Sequence, residues 1–149
     1  MLKLVRIFVC LTLLGFAGTL HAAYIDNSNG TVTDTSTGLM WQQEISGSTM
    51  DWENAESYCE SLNLAGHTDW RLPSIRELQT IEDYSISYPG PTIDITYFPH
   101  TPSSWFWTST SFAGNASLAW VVNFYDGDNT FLFKRNAYYV RAVRGLLSE

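Results

Sequence analysis

Basic residues are scarce in this chain. Its 149 residues include 8 Lys+Arg against 15 Asp+Glu, a formal net charge of −7. Nucleic acids and heparin-like polyanions are bound through clustered cations that displace counterions. No such cluster exists here, so neither ligand class is expected. Cysteine is rarer still, with only Cys10 and Cys59. Long apolar runs are also missing. The longest, residues 7–20, has 14 positions, fewer than the roughly 20 a membrane-spanning helix needs. Catalytic signatures are absent too: the sequence has no HExxH, no GxSxG, no Walker loop and no GxGxxG after a strand. No catalytic residue, metal ligand or cofactor is expected, and the chain does not read as an enzyme.

The apolar run has the form of an export signal. Lys3 and Arg6 precede it, and the small residues Ala22 and Ala23 follow it. The expected organisation is a signal peptide over 1–22 and one domain over 23–149, periplasmic or secreted from a bacterium, with no integral membrane segment after cleavage. Removing Lys3 and Arg6 leaves 6 basic against 15 acidic side chains, a net charge of −9. Cys10 lies within the run and leaves with it. The remaining thiol, Cys59, cannot form an internal disulfide, a CxxC redox pair or a multi-thiolate zinc site.

Aromatic residues are abundant. They make up 15% of the chain, and all 6 tryptophans lie beyond the leader, which excludes a disordered acidic chain. Turn signals at Asn29-Gly30 and Thr37-Gly38 bracket short β-rich runs, so a hairpin is expected near residues 31–42. A helix is expected over 52–62, capped by Asp51, with Trp52, Ala55, Cys59 and Leu62 along one face. That spacing turns Cys59 toward the core. A second helix follows Ser74, whose capping box closes on Glu77, with Ile75, Leu78 and Ile81 on one face until about residue 83. Residues 88–104 carry four prolines, Pro89, Pro91, Pro99 and Pro102, and read as a long irregular loop. Strands are expected over 105–109, 118–125, 130–134 and 137–143, the middle two joined by the turn Asp126-Gly127-Asp128-Asn129. Two helices between an early hairpin and a late antiparallel sheet define an α+β fold.

Several blocks occur in a familiar order. Gly30-Thr31-Val32-Thr33-Asp34, Thr37-Gly38-Leu39-Met40-Trp41-Gln42, Trp52-Glu53-Asn54-Ala55 and Tyr58-Cys59 come first. Asp69-Trp70-Arg71-Leu72-Pro73, Glu77-Leu78 and Tyr139-Val140-Arg141-Ala142-Val143-Arg144-Gly145 follow. The chain resembles the C-terminal domain family of the Legionella collagen-like adhesins. That resemblance implies a C-type-lectin-like fold, with two helices packed on twisted antiparallel sheets. It also implies an adhesin-like role. Family members often carry a cysteine where this chain has Ala142, bridging the first helix to the last strand; here the second sulfur is missing.

The expected function is a non-catalytic binding module for a glycan or a protein surface, with a structural component of the cell envelope as the alternative. The expected ligand-binding residues are Trp105, Trp107, Asn123, Asp126, Asp128 and Asn129. Trp105 and Trp107 flank Phe106 in a run apolar on both faces, so part of that surface is expected to be open to a ligand. The long loop from Tyr84 to Ser104 is expected to engage the ligand together with the turn, which offers carboxylates and an amide. Calcium needs six to eight oxygens, and a tight turn uses the same residues for its geometry alone, so the turn reading is preferred. Arg71, Arg141 and Arg144 are expected to pair with carboxylates rather than face a ligand.

Overall fold

The computed structural model describes residues 24–145. The expected leader, residues 1–22, lies outside them, as do positions 23 and 146–149. Strand β1 (Tyr24–Asp26), not foreseen from the sequence, pairs with β2 (Thr31–Asp34), which forms the expected hairpin with β3 (Met40–Gln42). Asp34 builds the hairpin turn: its buried carboxylate accepts the Ser36 N–H at 2.9 Å and the Thr37 hydroxyl at 2.7 Å. Helix α1 (Trp52–Ser61) starts where Asp51 accepts the Asn54 N–H at 2.9 Å, and it buries Ala55 and Cys59.

Helix α2 (Ile75–Gln79) has the capping box read from Ser74 and Glu77, but it is shorter than expected. It stops at Thr80, whose hydroxyl bonds back to the Glu77 carbonyl at 2.7 Å. Three residues later the Asp83 N–H is committed to the long loop, at the Thr92 carbonyl. Ile81 stays in the core, though it is no longer helical.

Strands β4 (Trp105–Ser111), β5 (Leu118–Asn123) and β6 (Asn129–Phe133) form an antiparallel sheet in that order. The last strand, β7 (Val143–Arg144), joins the first sheet beside β3, giving the order β1-β2-β3-β7. The strand expected over 137–143 is therefore mostly absent. Its backbone groups are divided among different neighbours instead: Tyr138 with Met50, Tyr139 with Trp105 and Trp107, Val140 with Ser46, and Ala142 with Gln42. The segment threads between the two sheets.

This threading splits the core in two. One cluster gathers Trp41, Leu78, Ile93, Phe98, Phe106 and Phe124; the other gathers Cys59, Trp70, Trp107, Val121, Val140 and Ala142. Successive residues of β4 thus serve opposite clusters, Phe106 the first and Trp107 the second. That is why this run is apolar on both faces. The fold is the α+β, C-type-lectin-like arrangement, with Cys59 and Ala142 in the same cluster as the helical spacing requires.

Arg141 holds the threading segment in place. It is fully buried, and its guanidinium donates to the carbonyls of Gln42 and Gln43 and to the Thr101 hydroxyl, over the ring of Phe98. Burial pulls its pKa down, while the charge of Glu44 opposes this.

Candidate functional site

The proline-bearing loop is pinned to the end of β5. The Gly90 N–H donates to the Tyr125 carbonyl at 2.8 Å, the Thr92 N–H to the Phe124 carbonyl at 2.7 Å, and the Phe124 N–H to the Ser104 carbonyl at 3.0 Å. Only glycine permits the first contact, because a β-carbon at Gly90 would collide with the Phe124 carbonyl oxygen. Ile93 and Phe98 then anchor the loop in the first core cluster. The part of the loop nearest the turn, around Tyr84 and Tyr88, is left outside.

Loop and turn therefore form one edge of the molecule. The Tyr125 hydroxyl donates to the Tyr88 hydroxyl at 2.7 Å, with the two rings edge to face at 4.8 Å. Tyr84 lies against the turn itself. Gly127, at φ +80°, allows this approach, since a β-carbon there would sit 3.1 Å from the tyrosine ring. Tyr84 and Tyr88 are each 67% exposed, although both rings are large and apolar. Asp126, Asp128 and Asn129 are exposed beside them.

Beneath this surface lies Glu82. Its Oε2 accepts the Tyr84 hydroxyl at 2.7 Å, while its Oε1 is buried and receives no hydrogen bond from the described residues. Burial, helped by the charges of Asp126 and Asp128, pushes the Glu82 carboxyl up to about 7, against the pull of the Tyr84 hydroxyl. Burial and then the Glu82 bond raise the Tyr84 phenol to about 12. The Tyr125 phenol is raised by its bond to Tyr88. Among the described residues, no three His, Cys, Asp or Glu side chains gather as a metal-binding group.

Of the residues expected at the site, Asp126, Asp128 and Asn129 stand together on this edge. Trp107 does not. It is fully buried, with its indole N–H donated to the Met50 carbonyl at 2.9 Å. The expectation that it faces a ligand is corrected by its place in the second core cluster. Trp105 pairs across to Asn123, but its ring is half-buried against that same cluster. Asn123 is 7% exposed, and its side-chain oxygen accepts the Tyr125 N–H, so it shapes the turn from inside. The loop holding Tyr84 and Tyr88 was expected to face the ligand, but neither tyrosine was singled out, and Tyr125 and Glu82 were not expected. Their signal was the loop itself, where tyrosines occur among prolines without apolar periodicity.

Arg71 and Arg144 pair with carboxylates as expected and explain the two most specific sequence blocks, whereas Arg141 departs from that expectation, its buried guanidinium bonding carbonyls and a hydroxyl instead. Arg71 exchanges backbone hydrogen bonds with Val143 at 2.9 and 3.0 Å. Its guanidinium grips Glu77 with two bonds of 2.8 and 2.6 Å and reaches the Gly145 carbonyl at 2.7 Å. Arg144 returns the clasp by holding Asp69 through two bonds of 2.8 and 3.1 Å. Burial alone would push the Glu77 carboxyl up, yet the bonds from Arg71 and Ser74 bring it below its ordinary value. The Asp-Trp-Arg-Leu-Pro block and the Val-Arg-Ala-Val-Arg-Gly ending are thus two halves of one closure.

The fold and this closure define a C-type-lectin-like α+β domain. A model of the Lcl C-terminal domain family matches residues 30–144, and the chain belongs to that family. No curated protein shows a significant match to the chain.

Proposed function

We propose that this domain is an exported, non-catalytic binding module that recognises a glycan at the edge formed by Tyr84, Tyr88, Tyr125, Asp126, Asp128 and Asn129. One observation carries the reading. Two large aromatic rings stand mostly in solvent, at 67% exposure each, beside exposed carboxylates and an amide. Sugars are bound by this pairing, with ring faces against C–H surfaces and carboxylate or amide groups on hydroxyls. The rigid attachment of the loop to β5 supports it, since little ordering is then required on binding. The adhesin-associated family agrees with an exported, surface-directed role, by analogy of family rather than of site.

The rival reading, an envelope component that binds only protein partners, draws on another surface. The outer face of the second sheet presents Phe112 stacked on Phe131 at 3.9 Å, with Trp120 beside them. A glycan array followed by calorimetric titration separates the two readings. Glycan binding that Tyr88→Ala and Asp126→Ala weaken, in proteins that remain folded, supports the first. Protein capture from an envelope extract without any glycan binding supports the second.

A further inference from the structure

The second sheet ends at β6, and among the described residues no strand lies beyond it. Its hydrogen bonds show which backbone groups face outward. The Lys134 N–H donates to the Ser117 carbonyl at 3.0 Å, and the Asp128 carbonyl accepts the Asn123 N–H at 2.8 Å. Even-numbered positions therefore point at β5. Because the groups alternate along an antiparallel ladder, those of Asn129, Phe131 and Phe133 point away from the sheet. The Phe133 carbonyl also closes the following turn by accepting the Asn136 N–H.

Exposed edges are ordinarily protected by a charge, a proline or a bulge. The β6 sequence Asn-Thr-Phe-Leu-Phe has neither charge nor proline, and it pairs with β5 without a register shift. Phe131 and Phe133 are 38% and 43% exposed. Charges stand only at the two ends, with Asp126 and Asp128 before the strand and Lys134 and Arg135 after it. Laid antiparallel about Phe131, two such edges set position 134 against the partner's position 128, with Arg135 between the partner's Asp126 and Asp128. Each acidic end then meets a basic end, twice by symmetry. A parallel arrangement would place like charges together. The edge is complementary to itself in one orientation.

We propose that β6 is a self-association edge, at which a second copy of this chain pairs antiparallel through Asn129, Phe131 and Phe133 to continue the sheet. Lys134 is held over Trp52 and bonded to Ser111 at 2.8 Å, so it supplies field rather than contact. Arg135 is the exposed cation, its guanidinium lying 4.4 Å over the Phe133 ring on the same edge. Asp126, Asp128 and Asn129 belong to both surfaces, so self-association and glycan binding would compete there; the test nevertheless stands apart from the glycan reading, because its readout is mass rather than ligand binding.

Sedimentation of the purified protein over a concentration series tests it. The expected result is a concentration-dependent passage from monomer to dimer, weakened by salt. Arg135→Glu or Asp128→Lys alone should weaken the dimer at least about tenfold, and the double variant should recover it. Both side chains are exposed, so all three variants should stay folded, with melting temperatures near the native one at about pH 5, where Glu82 keeps its proton. Phe131→Pro removes an outward N–H that edge strands can spare and should leave a folded monomer. A native protein that stays monomeric at every concentration overturns the proposal. So does a dimer that neither single charge variant nor Phe131→Pro affects.

Discussion

Replacing Glu82 with glutamine should stabilise this domain, and more so as the pH rises. The Glu82 carboxyl ionises at about 7 in the fold instead of 4.5, because it is buried and faces the charges of Asp126 and Asp128. An acid with a raised folded pKa binds its proton more tightly when native. Its contribution is complete below the unfolded value and is lost as the pH rises through the folded one. A displacement of this size corresponds to about 3 kcal/mol between the limits. The carboxyl is partly open to water, and solvent screening reduces this to about 1 kcal/mol. Glutamine keeps an acceptor for the Tyr84 hydroxyl and carries no charge. The advantage of Glu82→Gln over the native protein should therefore grow by about 1 kcal/mol between about pH 5 and about pH 8. In a domain of this size that is about 3–5 °C in melting temperature. Thermal unfolding of both proteins at the two pH values measures it. Equal differences at both, or destabilisation at the higher pH, would refute the assignment of a strained carboxylate beneath the turn.

Further outcomes follow from the same structure. Burial pushes the Cys59 thiol up to about 12, so maleimide labelling of the folded protein near neutral pH should be slow and should accelerate in denaturant. Ala142→Cys should bridge to Cys59 under oxidising conditions and raise the melting temperature, since both positions share one buried cluster. Glu77→Ala removes both Arg71 bonds and the capping-box return to Ser74, and should cost about 2 kcal/mol by denaturant titration. Because the Glu77 carboxyl is held below its ordinary value, its contribution should be present above about pH 5 and fade in acid, opposite in sign to that of Glu82. Arg141→Gln should lower stability by about 3 kcal/mol, because the Gln43 carbonyl and the Thr101 hydroxyl lose a buried donor. EDTA should leave the melting temperature unchanged.

Local signals carried much of this fold. Capping residues marked the starts of both helices, and the Asp126–Asn129 turn and the strands around it follow from alternation and turn chemistry. Signals failed where one segment serves several neighbours. Residues 138–142 alternate like a strand, yet their partners are divided between residues 42–50 and the strand at Trp105 and Trp107, and no periodicity reports that. Trp107 failed for a related reason: a strand lying between two cores is apolar on both faces, which from sequence looks the same as a strand with one face exposed. At the candidate edge, the carboxylates were legible because turns advertise their residues. Tyr84 and Tyr88 were not, because their exposure depends on Gly90 passing close to Phe124 and fixing the loop from below.

Under the proposed function, a sugar binds at the tyrosine and carboxylate edge. Following the tyrosine ring resonances by NMR, while titrating the best glycan from an array, tests it most directly. The Tyr84, Tyr88 and Tyr125 signals should shift together and saturate with one affinity, while aromatic signals from Phe112, Trp120 and Phe131 stay in place. Saturable shifts confined to the outer face of the second sheet, with the three tyrosines unmoved, would contradict it.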